Sequence, residues 1–270
     1  MTPEFVTIKI GGSLFSDKSR PGHIDRAALS AYAEMVAGLT GPHPGRLVLI
    51  TGGGAFGHGA IRNRARQGRH GLVGLTEACF AVKWHWTEAL RAAGVTAFPL
   101  QLAAMCTMAE DTPHVHPEVL RALLRSEVVP VLSGDAVLNA AGELESFSSD
   151  RVPEVVQASV GAAVRVVVLT DVPGILTGPG RDQTLPEVDA RDPADAYAAL
   201  WTRSEWDSTG AMHSKLGGLI TCARNGAESF IMRGDDARKS PGILFAPTAE
   251  WPVDLRYTRI ADPSLGRGQR

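Results

Sequence analysis

Four times along the chain, a run of apolar, mostly β-branched residues stops at a short loop of glycines and small polar side chains. The runs are FVTIKI before GGS, RLVLI before TGGGAFGH, VVPVL before SGD, and RVVVLT before DVPG. Continuous apolar runs of this length suit strands buried on both faces, and helical periodicity fills the intervals between them. The alternation predicts an α/β sheet rather than separate α and β regions. In an open parallel sheet, ligands bind outside the carboxyl ends of the strands. One such loop would be an ordinary tight turn; four on one rim predict a site for an anion.

The helical segments carry their own punctuation. Residues 25–39 read as a helix that Asp25 can cap, and 75–94 as a long helix stopped by Gly94. Residues 95–100 read as a short strand, and 116–126 as a helix with Pro117 near its start, where proline is tolerated. Residues 136–148 suggest a hairpin and 150–161 a helix. The Gly-, Pro- and Asp-rich stretch 177–192 reads as a loop. In 211–226, Met212, Leu216, Leu219, Ile220 and Ala223 share one face of an amphipathic helix that Gly226 ends. ESFIMR and GILF read as late strands. No repeat and no long linker divides the 270 residues, so one domain is expected.

Composition narrows the function. A net charge of −2, with 44% hydrophobic and 21% charged residues, argues against nucleic acid or an acidic membrane as the main partner. Cys79, Cys106 and Cys222 are odd in number and far apart, which fits a reducing compartment and buried apolar roles better than disulfides. No apolar run approaches the ~18 residues of a membrane span, and the N-terminus lacks signal-peptide character. A cytoplasmic protein is expected. Only five lysines stand against 22 arginines. A lysine kept beside glycines therefore marks a place for a compact point charge, as at Lys9, Lys18 and Lys215. Lys83 and Lys239 read as surface positions.

Gly52, Gly54 and Gly57 fit G-x-G-x-x-G, but a dinucleotide site needs that turn after the first strand and an acid about 20 residues later. Glu77 has the spacing yet lies within a helical segment. What survives is the physics: glycines admit backbone N–H groups to an anion, and a following helix adds its positive end. His58 stands beside that anion as a donor. Lys9 arrives at a strand end next to Gly11, Gly12 and Ser13. Ser148 and Ser149 offer hydroxyl donors. Asp150 can cap the next helix, and Asp207, Ser208 and Thr209 can cap the one carrying Lys215. Arg62, Arg64, Arg66 and Arg69 read as a solvated basic face. No Walker A, H-E-x-x-H, G-x-S-x-G or zinc-type spacing occurs.

Taken together, KIGGS, GGGAFGH, SGD, FSSD, TDVPG and TGAMHSK resemble the amino-acid kinase superfamily. The histidine after the glycine loop resembles the branch whose acceptors are phosphates or phosphonates, where isopentenyl phosphate kinases belong. FGHGAIR, FPLQLAAMCT, FSSDRVPEV, LPEVDAR, SEWDSTGAMHSKL and FIMRGD resemble the fosfomycin kinases more closely still, over the chain to about Ile260. The resemblance implies a three-layer α/β/α sandwich with a mainly parallel sheet. It also implies ATP and Mg²⁺ as cofactors, fosfomycin as the small-molecule acceptor, and a homodimer. Acceptor binding is expected in about residues 1–160 and nucleotide binding in about 161–260. By match of motif, Lys9, Lys18 and Lys215 would line the transferring phosphoryl group, with Asp150 and Asp207 orienting the lysines. His58 would hold the phosphonate with Gly53, Gly54, Ser149 and Thr209. Gly11, Gly12, Ser13, Asp171, Gly174 and Gly210 would border the nucleotide. No protein metal ligand is expected. Isopentenyl phosphate kinase is the rival within the class, and a nucleotide- or oxyanion-binding storage protein the rival outside it.

Overall fold

The computed structural model describes residues 2–17, 19–63, 71–177, 180, 182–200 and 210–265. Along the chain run β1 (Phe5–Ile10), α1 (Arg26–Thr40), β2 (Leu47–Thr51), α2 (Gly54–Asn63), α3 (Gly71–Ala92) and β3 (Ala97–Pro99). The hairpin β4 (Cys106–Ala109) and β5 (Thr112–Val115) follows, then α4 (Glu118–Arg125), β6 (Val129–Ser133) and the hairpin β7 (Asp135–Leu138) and β8 (Leu144–Phe147). The second half holds α5 (Val152–Val160), β9 (Val164–Thr170), β10 (Leu176–Thr177), β11 (Gln183–Thr184), β12 (Glu187–Asp189), α6 (Ala194–Ala199), α7 (Gly210–Arg224), β13 (Glu228–Arg233), α8 (Gly234–Lys239) and β14 (Tyr257–Ala261).

Eight of these strands form one sheet in the order β12-β14-β13-β9-β1-β2-β6-β3, parallel except where β14 runs against β13. Helices cover both faces, so the three-layer α/β/α sandwich that the family resemblance implies is the architecture observed. The strand period of two sorts the apolar residues between the layers. Val6, Ile8 and Ile10 of β1 pack with Leu29 and Val36 of α1 and with Val82 and Trp86 of α3. Val48 and Ile50 of β2 go the other way, to Val152, Val155 and Val156 of α5. Val164, Val166 and Val168 of β9 meet Leu216, Leu219 and Ile220 of α7. Lys9 alternates with Ile8 and Ile10, so it projects toward the layer of α5 and α7.

Local signals set several boundaries as read. Asp25 caps α1 by accepting the Ala28 N–H at 3.0 Å, and Gly94 and Gly226 end their helices at φ +81° and +95°. All three cysteines are free and buried.

Three expectations change. Residues 177–192 are not only loop: β11 turns back on β10, and β12 extends the sheet beside β14, Val188 pairing with Ile260. Strands of two or three residues leave no periodicity, and here the partner lies far along the chain. GILF is a 3-10 turn, Pro241–Leu244, that buries Leu244 under α1; the last strand is instead β14, which the sequence reading passed over together with β4 and β5. Lys83 is not a surface residue but is fully buried. Among the described residues, no helix is long and apolar enough to cross a membrane.

Helix α7 is held unusually close to the chain leading into α5. A Cβ built on Gly218 would lie 2.2 Å from the Asp150 carbonyl oxygen, whereas one on Gly217 would meet only the Tyr197 hydroxyl at 3.6 Å. Gly218→Ala should therefore lower stability by about 1–3 kcal/mol through overpacking. Gly217→Ala should be neutral or stabilising, since alanine favours helix. Urea melts of the two variants check this, and equal midpoints would contradict the close contact.

Candidate active site

The carboxyl ends of β1, β2, β6 and β9 bring the four glycine-bearing loops to one rim, as the sequence predicted. Lys9 sits there at 2% exposure, and its ammonium donates a hydrogen bond to the Asp150 carboxylate. Lys215, one turn into α7, places its Nζ 3.8 Å from the same Asp150 oxygen. One buried carboxylate thus gathers two ammonium groups from opposite halves of the chain. Asp150 does not cap α5: the cap position is Arg151, and no side-chain capping bond is made there. The Asp150 amide donates to the Ser148 hydroxyl at 3.2 Å, which lies 3.4 Å from that of Ser214 on α7.

The glycines around this cluster are there for close backbone approach. A Cβ on Gly12 would fall 2.8 Å from the N and Cα of Gly54, and one on Gly52 would fall 2.7 Å from the Gly12 amide nitrogen. Gly54 also needs φ +51°, and its Cβ would press on Ser16 at 2.9 Å. Ser16 in turn accepts the Ala55 N–H at 2.7 Å and donates to the His23 carbonyl at 2.9 Å, fixing the start of α2. The first N–H groups of a helix have no partner within it. Two interlocked glycine loops and a helix N-terminus therefore crowd backbone around the end of β1 that carries the buried Lys9. That cradle suits phosphoryl oxygens.

On the β9 side, Gly174 is buried at φ +148°, where a Cβ would meet the Thr258 hydroxyl at 2.5 Å. Asp171 and Ser13 are exposed on the rim, and Ser149 is half-buried beside Asp150. Gly11 lies against the Leu169 carbonyl, which accepts its N–H at 2.9 Å. On the β6 side, Gly134 packs on the backbone of Ser148 and Ser149, its Cβ position 2.7 Å from the Phe147 carbonyl oxygen. Lys9, Asp150 and Lys215 are brought together; Gly11, Gly12, Ser13, Gly53, Gly54, Ser149, Asp171 and Gly174 border them. Lys18, Asp207 and Thr209 lie outside the described residues, as do the side chains of His58 and Arg62 and the rest of the basic cluster at Arg64, Arg66 and Arg69. Gly210 opens α7.

The structure adds a group that sequence reading missed. The buried Lys83 ammonium donates to the Gln101 side-chain carbonyl at 2.8 Å and to the Leu100 carbonyl at 3.1 Å. The Gln101 amide donates to Asp135 at 2.5 Å. Asp135, fully buried, also accepts the Thr76 hydroxyl at 2.9 Å and the Ala103 N–H at 3.2 Å. Burial holds the Lys83 ammonium below the usual lysine range, with the Asp135 charge opposing that shift. Burial, and then the Asp135 charge, pushes the neighbouring Cys79 thiol up to about 12. In the sequence, Lys83 sits among apolar residues on a helix, and that was the available signal.

A divalent cation fits this rim only in company. Among the described residues no group of three or more acidic, histidine or cysteine side chains could hold a metal. Mg²⁺ is commonly held by substrate phosphates with one or two carboxylates, and Asp171 and Asp150 are the acids at hand.

Comparison with known proteins agrees with this geometry. The model of the amino-acid kinase family matches residues 4–233. The isopentenyl phosphate kinase of Haloferax volcanii is 31% identical over 253 residues, covering 88% of this chain and 97% of that protein. The enzyme of the same name from Methanothermobacter thermautotrophicus is 27% identical, covering 84% and 90%. A solved isopentenyl phosphate kinase superposes with a TM-score of 0.72 at 22% identity, over 95% of this chain and 100% of that one. These relatives back isopentenyl phosphate kinase better than the fosfomycin kinase resemblance. The chain belongs to the amino-acid kinase family.

Proposed function

We propose that this phosphotransferase moves the terminal phosphoryl group of ATP to the phosphate or phosphonate group of a small acceptor. The observation that carries this reading is the Lys9–Asp150–Lys215 cluster, set between the glycine cradle and the loop after β9. The nucleotide would lie over about residues 161–260 and the acceptor over about residues 1–160, with α2 offering its N-terminus to the acceptor.

The chemistry follows from charge. A phosphate or phosphonate oxygen is already anionic near neutrality, so no general base is required. The obstacle is repulsion between that anion and the triphosphate. Phosphoryl transfer is catalysed mainly by positioning and by cations along the path of the moving charge. Lys9 and Lys215 supply fixed cations held in place by a buried carboxylate. Lys18 would join them, Asp207 would orient them, and His58 with Thr209 and Ser149 would hold the acceptor. Mg²⁺, if bound with the nucleotide, would add further neutralisation of charge, with Asp150 and Asp171 as the carboxylates that could help hold it.

Isopentenyl phosphate is the acceptor that the relatives support, because one of them matches over nearly its whole length. Fosfomycin is a second reading. Its support is the set of long motifs quoted above and the polar Thr76–Asp135–Gln101–Lys83 network on the acceptor side, where a prenyl tail would want hydrocarbon. A homodimer is favoured by an apolar face: Phe80 and Trp84 of α3, stacked 6.4 Å apart, are exposed, as is Phe98 of the edge strand β3.

ADP release with Mg·ATP and either acceptor tests the reading. Turnover of isopentenyl phosphate supports the first acceptor, turnover of fosfomycin alone the second, and turnover of neither favours a non-catalytic binding protein. Lys18→Ala should lower kcat roughly 100-fold, as expected for loss of one charge-stabilising donor. His58→Ala should mainly raise KM for the acceptor. Wild-type constants in either folded variant would remove that residue from its role.

A further inference from the structure

The geometry points to the buried Lys83–Gln101–Asp135–Thr76 network as a specificity determinant that limits the organic part of the acceptor to a short, polar-tolerant group. This inference rests on the acceptor reading above and deepens it.

The direction of the acceptor follows from the sheet order. The nucleotide loop leaves β9, the buried lysine is on β1, and the glycine cradle for the acceptor leaves β2. In phosphoryl transfer the attacking and leaving oxygens lie roughly in line. The rest of the acceptor therefore points away from β9, past β2, toward the rim of β6 and β3. What stands there is the start of β7, the N-terminal half of α3 and the segment following β3. Those three pieces are the ones tied together by the network. Thr76 comes from α3 and accompanies Lys83 one helix face along; Gln101 and Ala103 come from the segment after β3; Asp135 comes directly after Gly134, whose backbone packs on Ser148 and Ser149 of the site.

Burying an ammonium and a carboxylate is a weak way to stabilise a fold, because desolvation cancels most of the attraction. Apolar residues of similar size would hold the same three pieces together. What they would not do is close the acceptor end with polar groups. Thr76 and Gln101 are half-buried, while Asp135 and Lys83 are fully buried. A hydrocarbon tail laid here would separate bonded polar partners without replacing their bonds. An acceptor with a small substituent leaves the network intact.

The test compares methyl, isopentenyl and geranyl phosphates, together with fosfomycin, as acceptors for the wild-type chain and for Lys83→Met/Asp135→Leu. The double variant replaces the charged ends of the network with apolar groups and strands neither charge alone. It should raise the ratio of kcat/KM for geranyl over methyl phosphate at least roughly tenfold, with KM for ATP unchanged. If all acceptors lose kcat/KM in parallel, the network serves only the fold and the inference falls, while the acceptor reading stands. If the wild-type chain turns over none of these compounds, the acceptor reading falls first and takes the inference with it. Should circular dichroism show the double variant unfolded, Thr76→Val decides. It should move the ratio the same way by about threefold, and an unmoved ratio overturns the inference.

Discussion

A buried carboxylate shared by two lysines is the interaction around which this molecule is organised. Lys9 belongs to the second-to-last position of the first strand, and Lys215 to a helix near the other end of the chain. Without Asp150 between them, two ammonium groups at a dry rim would repel each other and favour water. With it, both are fixed where the strands end, and the halves of the sheet are joined at their functional edge. Asp150 acts through both its parts: its carboxylate meets Lys9 and Lys215, and its backbone carbonyl seats Gly218 of α7.

The glycines make that arrangement possible. Charged side chains can be concentrated at strand ends only if the loops around them take little room. Gly12 against Gly54, and Gly52 against Gly12, let two loops interlock backbone to backbone. The Gly11 and Gly52 amides are tied to the Leu169 and Ile10 carbonyls, so the loops stay flush with the strand ends. The proposed phosphate cradle would thus be a by-product of packing two glycine loops in front of a buried cation. The polar network behind Asp135 continues the principle outward, by fixing the third loop against α3 and the segment after β3.

Much of this was legible in the sequence because the signals were local. Apolar runs ending in glycine fixed β1, β2, β6 and β9, and Asp25, Gly94 and Gly226 marked helix ends through chemistry confined to one turn. Lys9 and Lys215 stood out because this chain prefers arginine. What stayed hidden depended on distant partners. β12 exists because β14 lies beside it, and three residues cannot announce that. GILF looks like a strand, yet Pro241 and the core under α1 favour a turn that buries Leu244. Lys83 looked solvated because its bond to Gln101 and its neighbour Asp135 come from segments far along the chain. Asp150 could have been a helix cap or an ion-pair partner, and only the arrival of β1 and α7 at the same point chose between them.

Asp150 gathers Lys9 and Lys215, which are proposed to carry the moving phosphoryl charge. The most direct measurement is the single-turnover rate of phosphoryl transfer in Asp150→Asn, at saturating Mg·ATP and acceptor and below its melting transition. The substitution keeps the shape and removes the charge. A rate lowered about 100-fold, with circular dichroism unchanged, is the expected result. A folded variant that transfers the phosphoryl group at the wild-type rate would contradict it.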